Sequence, residues 1–234
     1  HLEISDEPGI YEDAYRAWVR RTAPDQLDLL SVGLPPATRV WYGVMGVEDT
    51  VSHPDFAPRE DFVGATPFLG ADEVTHSTFV ADRTIAYLEQ QSPAGQPFLC
   101  IAGFYSPHAP WVVPQRFLDM YDRDALTLPE YPPEVEAVRI ESGFTDQRLR
   151  SARHGYYAMI SEVDYHVGRI LAMLEARGLA EDTIVIFTSD HGEWLGDHLR
   201  FAKGYPGDDP VSRTPLIIRW PAAVAAPGRT ASQI

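Results

Sequence analysis

TIVIFTSDHGEWLGDH, residues Thr183–His198, is the stretch of sequence that decides the fold. Its first half is a short run of β-branched and aromatic apolar residues, which is typical of a strand buried on both faces. The polarity then switches at once to Asp190 and His191. Because open α/β sheets bind ligands just beyond the carboxyl ends of their strands, this switch marks a candidate site.

Asp190 and His191 form a candidate metal-binding pair. Asp190 offers a hard oxygen ligand, which favours Ca²⁺, Mg²⁺ or Mn²⁺, and His191 offers a nitrogen that favours Mn²⁺ or Zn²⁺. Gly192 lets the backbone turn sharply behind them. The alternative interpretation is an ordinary turn, since Ser and Asp at strand ends are common turn formers.

The hydrophobic pattern around this stretch predicts alternating strands and helices. Buried strands are expected at Phe98–Phe104, Thr183–Thr188 and Pro215–Arg219, and apolar residues at three- and four-residue steps predict a long helix at Thr145–Arg177. A strand, a long crossover helix and a second strand favour an α/β fold with a largely parallel central sheet flanked by helices. Shorter helices are predicted at Glu12–Arg21, Asp72–Gln91 and Gln115–Tyr121.

The domain organisation follows from length and local composition. A chain of 234 residues is long enough for one sizeable core, so residues 1–234 are taken as a single domain. Residues 23–70 are rich in Pro, Gly and Asp and are predicted to be a long irregular loop. The sequence begins with His1 and ends without a helix cap or polar tail, so we expect the domain to be incomplete at both ends.

Charge and composition exclude several classes of partner. A net charge of -15 argues against binding to nucleic acid or to anionic membranes, because both are negatively charged and bind basic protein surfaces. The longest apolar runs are too short to predict a membrane span. The single cysteine, Cys100, excludes an internal disulfide framework, and its position in a predicted strand favours a buried structural thiol.

The blocks around the candidate pair resemble the sulfatase family, which belongs to the alkaline-phosphatase-like superfamily of metal-dependent hydrolases. Their order and spacing match over nearly the whole chain. The resemblance therefore implies an alkaline-phosphatase-like α/β fold. The matching blocks are Asp190–Glu193, Leu195–His198, Lys203-Gly204 and Arg213–Pro221, preceded by Pro97–Cys100, Phe104–Trp111 and Pro114–Phe117.

The resemblance also implies roles for individual residues. Asp190 and His191 would bind a divalent cation, with Ca²⁺ preferred and Mg²⁺ or Mn²⁺ as alternatives. Lys203 would lie beside the sulfate or phosphate, where its ammonium neutralises charge on the transferred group. His108, stiffened by prolines on both sides, would donate to the substrate oxyanion or protonate the leaving oxygen. His198 is a further catalytic candidate, with a purely structural role as the alternative.

The nucleophile of the family is missing from this sequence. Sulfatases carry an acidic metal-binding pair and a Cys- or Ser-containing motif in their amino-terminal part, and that Cys or Ser becomes formylglycine. No Cys-x-Pro-Ser-Arg-like run is present, and Cys100 lies in a different context. We therefore expect the chain to be the middle and later part of a sulfatase, inactive by itself, with formylglycine upstream and some apolar sheet surface uncovered.

The function expected for the parent protein is metal-dependent hydrolysis of a small-molecule or glycan sulfate ester. A phosphonate monoester or phosphodiester hydrolase on the same fold is an alternative, because the His at position 191 resembles the branch of the superfamily that includes such hydrolases as well as some bacterial sulfatases. A non-catalytic homologue or binding subunit is a second alternative, favoured by the missing nucleophile. The oligomeric state stays open, and the compartment is either cytoplasmic or periplasmic, since any targeting segment would precede His1.

Overall fold

A computed structural model describes residues 13–30, 64–204, 207–224 and 228, and it combines helices with short strands. The α-helices are α1 (Ala14–Thr22), α2 (His76–Leu88), α3 (Gln115–Leu118), α4 (Pro133–Arg139), α5 (Asp146–Ala176) and α6 (Asp209–Ser212). Short 3-10 helices lie at Pro24–Leu29, Asp72–Val74, Arg123–Ala125 and Asp197–Leu199. The strands are β1 (Thr66–Pro67), β2 (Val112–Val113), β3 (Val185–Thr188) and β4 (Leu216–Arg219).

The long helix α5 organises the core and matches the prediction for Thr145–Arg177 within one residue at each end. Its start is fixed by Thr145, whose side chain accepts a hydrogen bond from the backbone N–H of Arg148. Gly178, with φ of +67°, follows its end and supplies the left-handed conformation that often terminates a helix. Helix α2 packs along α5.

Three apolar clusters hold the described elements together. The first surrounds the fully buried Trp111 and includes Phe117 and Met159. The second joins α1 to α2 through Trp18 and Phe79. The third packs the C-terminal ends of α2 and α5 together and consists of Leu88, Leu174, Leu179 and Ala180. The first cluster lies directly beneath the loop that carries His108, so the helical layer supports the candidate site.

The strands form two pairs of opposite kind. β1 and β2 are parallel, with Thr66 opposite Val112, whereas β3 and β4 are antiparallel, with Val185 opposite Arg219. The α/β class is confirmed, but the expected parallel arrangement is wrong for β3 and β4. Between these two strands the chain returns through loops and the one-turn helix α6. Without a long crossover helix, the second strand runs back along the first.

The expectation that the strands are buried on both faces is also wrong for the described residues. Ile186 in β3 is 59% exposed and Ile217 in β4 is 61% exposed. Residues 98–104 form no strand, and Leu99 and Ile101 are 85% and 83% exposed. Cys100 is exposed as well, which corrects its assignment as a buried thiol. No described element covers these apolar side chains.

The remaining predictions of local structure hold in part. The three shorter helices are observed as α1, α2 and α3, with α2 preceded by a separate 3-10 turn at Asp72–Val74. Most of the predicted loop 23–70 falls outside the described residues, but its two ends contain the 3-10 helix Pro24–Leu29 and strand β1. In the part of the chain that is described, no helix is both long and apolar enough to cross a bilayer.

Candidate active site

His108 lies on a short loop that hydrogen bonds hold in shape. Its backbone N–H donates to the carbonyl of Tyr105 at 3.1 Å, and the Tyr105 hydroxyl donates to the carbonyl of Ala109. The indole N–H of Trp111 donates to the carbonyl of Pro107 at 3.1 Å. Because Trp111 belongs to the main core cluster, the loop is anchored to the interior of the domain.

The hydrogen bonds of His108 define which of its ring nitrogens carries a proton. Nδ1 lies 2.5 Å from the carbonyl oxygen of Ala109, and a carbonyl oxygen only accepts, so Nδ1 is the donor. Nε2 therefore presents its lone pair in the neutral ring. Lys203 Nζ lies 2.8 Å from this Nε2, which is the geometry of an ammonium donating to an imidazole. One hydrogen bond, with the ammonium as donor, therefore joins the two side chains.

Lys203 is distinctive in the sequence as well as in the site. It is the only lysine among 234 residues, and the other basic residues are arginines. A lysine ammonium is a compact charge with three rotatable donors, whereas a guanidinium donates in a fixed planar fork. Lys203 can therefore keep one hydrogen bond to His108 and still direct a donor at a second acceptor.

His191 lies beside this pair, and its hydrogen bonding suits a metal ligand. The rings of His108 and His191 meet edge to face with centroids 5.9 Å apart. Nδ1 of His191 lies 2.7 Å from the carbonyl of Gly192, so it donates there and Nε2 carries the lone pair. Metal-bound histidines usually donate their second ring nitrogen in this way, which fixes the ring and the tautomer.

Asp190 completes the group at the carboxyl end of β3. Its Oδ2 lies 3.9 Å from Nε2 of His191, and its side chain is 88% exposed. One cation with bonds of about 2.1 and 2.3 Å spans such a separation. Across the described ranges, no cluster of three or more His, Cys, Asp or Glu residues is arranged to hold a metal. Asp190 and His191 thus fit two positions of a coordination shell, and a hard cation requires several more ligands.

Glu193 holds the backbone immediately before Lys203 in place. Its Oε1 accepts hydrogen bonds from the backbone N–H groups of Leu195 and Ala202, and the N–H of Trp194 donates to the carbonyl of Ala202 at 3.2 Å. Burial raises the pKa of Glu193, and these backbone donors oppose the rise. The segment that leaves the metal pair is therefore closed at Ala202, immediately before Lys203.

Gly192 allows the backbone next to Asp190 and His191 to pack closely on α6. Its N–H donates to the carbonyl of Val211 at 2.7 Å, and a Cβ at this position would lie 2.0 Å from the carbonyl oxygen of Pro210. No larger residue fits without moving the backbone, so the glycine after Asp190-His191 is required by a close approach and not only by a turn.

His198 is not brought into this group. Its ring packs edge to face on Trp194 at 5.3 Å, and its backbone has a left-handed φ of 52°. Its side chain makes no hydrogen bond within the described residues. This packing is compatible with the structural alternative, and the catalytic role of His198 stays a prediction.

The structure thus brings together His108, Lys203, His191 and Asp190, which are separated by up to 95 positions in sequence. Sequence reasoning assigns no role to Tyr105 and Glu193, although both stand in the quoted blocks. An acid within a loop, such as Glu193, gives no periodic signal, and its backbone acceptor role appears only in three dimensions.

Comparison with known proteins decides the family. A family model described as Sulfatase matches residues 36–234. The chain belongs to the sulfatase family. An ulvan-active sulfatase of Formosa agariphila is 37% identical over 139 residues, which are 58% of this chain and 25% of that protein. Iduronate 2-sulfatase of Homo sapiens is 33% identical over 174 residues, covering 64% of this chain and 30% of its own length.

A solved structure shows a similar fold. The crystal structure of a phosphonate monoester hydrolase of Agrobacterium radiobacter matches with a TM-score of 0.65 and 25% sequence identity. The match covers 90% of this chain and 42% of that one. The chain therefore spans between 25% and 42% of the length of these three relatives.

Proposed function

We propose that this chain contributes the leaving-group and anion-binding side of the active site of a metal-dependent sulfate ester hydrolase. The observation that carries the proposal is the 2.8 Å hydrogen bond between Lys203 Nζ and His108 Nε2, next to His191. An ammonium group held in place by a hydrogen bond, close to the residues that follow β3, suits the developing negative charge of an ester under attack.

The pair supplies two functions that such a reaction needs. Lys203, with donors to spare, binds a non-bridging oxygen of the sulfuryl group and neutralises its charge. When the bond from sulfur to the leaving oxygen breaks, that oxygen gains the electron pair and needs a proton. The Lys203 ammonium directs one of its three N–H groups at Nε2 of His108, so a second N–H can transfer its proton to this oxygen, and the carbonyl of Ala109 holds His108 in the tautomer that accepts from Lys203.

Asp190 and His191 are proposed to hold a divalent cation, with Ca²⁺ preferred and Mg²⁺ or Mn²⁺ as alternatives. When bound, this cation supplies Lewis-acid stabilisation of charge on the substrate oxygens. The further ligands and a formylglycine nucleophile are proposed to come from residues other than those described. The substrate is proposed to be a small-molecule or glycan sulfate ester, and the compartment to be cytoplasmic or periplasmic.

A phosphonate monoester hydrolase is the second candidate, and the similarity of fold to the enzyme of Agrobacterium radiobacter favours it. Tetrahedral sulfur and phosphorus centres place similar demands on Lys203 and the metal pair. Both candidates use the same residues, so the substrate assay has to separate them.

The test compares the turnover of two substrates, an activated aryl sulfate and an aryl phosphonate monoester. It uses the full-length protein that contains this chain, with Ca²⁺, Mg²⁺ or Mn²⁺ added. Lys203→Met and His108→Gln are each expected to lower kcat about 100-fold or more, and the double variant about as much as the more severe single one. Arg123→Gln, which removes an exposed cation elsewhere, should retain full activity.

The outcomes separate the alternatives. Faster turnover of the sulfate supports the first candidate, and faster turnover of the phosphonate supports the second. Absence of turnover on both substrates by a correctly folded, metal-loaded protein indicates a non-catalytic homologue. Wild-type turnover in Lys203→Met would refute the assignment of the pair.

A further inference from the structure

The hydrogen bond between Lys203 and His108 joins two loops, and both residues lie outside helices and strands. Trp111 attaches the loop of His108 to the core through the carbonyl of Pro107, and Glu193 closes the loop of Lys203 at its base. Neither contact sets the distance between the loops. A relative shift of about 0.8 Å would stretch the bond from 2.8 Å to about 3.6 Å, which is no longer a hydrogen bond.

Phe201 provides a contact between the two loops. It stands two residues before Lys203, and its ring meets the ring of Trp111 edge to face with centroids 6.4 Å apart. Trp111 is fully buried, and its indole N–H donates to the carbonyl of Pro107, the residue before His108. One aromatic contact in the interior thus links the backbone next to Lys203 with the backbone next to His108.

The ring of Phe201 is itself held in place by the segment that leads into α5. It stacks almost parallel on the ring of Phe144, with centroids 5.1 Å apart and 10° between the planes. The guanidinium carbon of Arg148 lies 5.2 Å from the centroid of Phe201, and Arg148 donates to the carbonyl of Gly143 at 3.1 Å. Moving the ring of Phe201 would therefore disrupt the stack as well as the contact with Trp111.

A different contact holds the far turn of the same loop. The hydroxyl of Tyr131 donates to the carbonyl of Gly196 at 2.8 Å, and the backbone N–H of Leu199 donates to the same carbonyl at 3.0 Å. This turn precedes Phe201 in the chain. Phe201 is thus the aromatic contact that lies between the far turn and Lys203.

We propose that Phe201 is a positioning residue for the Lys203–His108 pair. Its ring, in contact with Trp111 and Phe144, sets the distance between Lys203 Nζ and His108 Nε2. The effect on catalysis rests on the proposed function, but the hydrogen bond itself is measured without turnover. A failure of one proposal is therefore distinguishable from a failure of the other.

The first test follows the ¹⁵N resonance of His108 Nε2 by NMR in the full-length protein that contains this chain. The pH is set to about 8.5, where an ordinary imidazole is neutral and an ordinary ammonium is charged. The signal is assigned with His108→Gln, and Lys203→Met gives its position when the bond is absent. Phe201→Leu, which stays apolar but lacks the ring, should move the signal toward the Lys203→Met position. Phe144→Leu should move it in the same direction.

The second test is a double-mutant cycle on kcat, with whichever of the aryl sulfate and the aryl phosphonate the protein turns over. Phe201→Leu should lower kcat about 10-fold, because small displacements of a reacting group are costly. In the Lys203→Met background the same change should have almost no further effect, since the ring acts through the lysine. A side chain that contributed only to stability would give the same factor in both backgrounds.

Phe98→Leu is the matched control. Phe98 is also half-buried, but its ring packs edge to face on Tyr87 at 5.8 Å, beside the third apolar cluster. Its replacement should change neither the His108 resonance nor kcat.

The outcomes decide between the readings. A wild-type resonance in both Phe201→Leu and Phe144→Leu, or an equal loss of kcat in both backgrounds, would overturn the positioning role. If the resonance moves as expected but Lys203→Met keeps wild-type kcat, the positioning role stands and the proposed function fails. If Phe201→Leu does not fold, Phe144→Leu decides by the same two measurements.

Discussion

Replacing Glu162 by Gln should change how the stability of the domain depends on pH. Glu162 lies in α5 and is only 2% exposed, and this burial raises its pKa from its ordinary value of 4.5 to about 7 on folding, so the folded state binds the proton more tightly than the unfolded chain. The stabilising contribution is therefore present in full below pH 4.5 and is lost as the pH rises through about 7. A full shift of this size corresponds to about 3 kcal/mol.

The measurement is the difference in unfolding free energy between Glu162→Gln and the wild type at pH 5.5 and pH 8.5. Over this range the difference should move in favour of the variant by about 2 kcal/mol, since part of the effect already occurs below pH 5.5. His76 and His166 also titrate on unfolding, but both proteins share them, and their contributions cancel in the difference. Urea unfolding followed by fluorescence of the buried Trp111 and Trp194 provides the values.

Asp164→Asn, which removes a carboxylate from the exposed side of the same helix, is the matched control and is analysed in the same way. A constant difference for Glu162→Gln between pH 5.5 and 8.5 would refute the argument. It would mean that the carboxyl is solvated or fully hydrogen-bonded in solution, and that burial does not govern its titration.

Two further predictions concern the segment that carries the metal pair and Lys203. Gly192→Ala should destabilise the domain by about 1–3 kcal/mol, because the new Cβ would meet the carbonyl oxygen of Pro210 at 2.0 Å; a melting temperature equal to that of the wild type would contradict this. Glu193→Ala should cost about 1–3 kcal/mol by leaving the backbone N–H of Ala202 without its acceptor, and hydrogen exchange at that amide should accelerate at least tenfold. Unchanged protection of the Ala202 amide would show that Glu193 does not close the segment.

The sequence predicts helix α5 well because its signals are local. Apolar residues recur at helical spacing, Thr145 caps the start, and Gly178 provides the stop. None of these depends on distant parts of the chain. The metal pair Asp190-His191 is visible for a similar reason, since the change from apolar to polar residues occurs within a few positions at the end of β3.

The strands are predicted less well because a strand needs partners that the local pattern does not specify. Residues 98–104 are as apolar as a buried strand, yet they pair with no described element and leave Leu99 and Ile101 exposed. The antiparallel direction of β4 depends on the path of the loops before it. Likewise, the tautomer of His108 and its hydrogen bond to Lys203 depend on side-chain geometry that spacing alone does not reveal.

The closed segment between Glu193 and Ala202 has a thermodynamic consequence for ligand binding. Hydrogen bonds at its base join residues nine positions apart, and closing a flexible loop of that length costs about 2 kcal/mol of chain entropy beyond a constant. The chain loses this entropy when the domain folds, before any ligand binds. An anion that reaches Lys203 therefore meets a preorganised ammonium group, and its binding should be accompanied by only a small unfavourable entropy of ordering the protein.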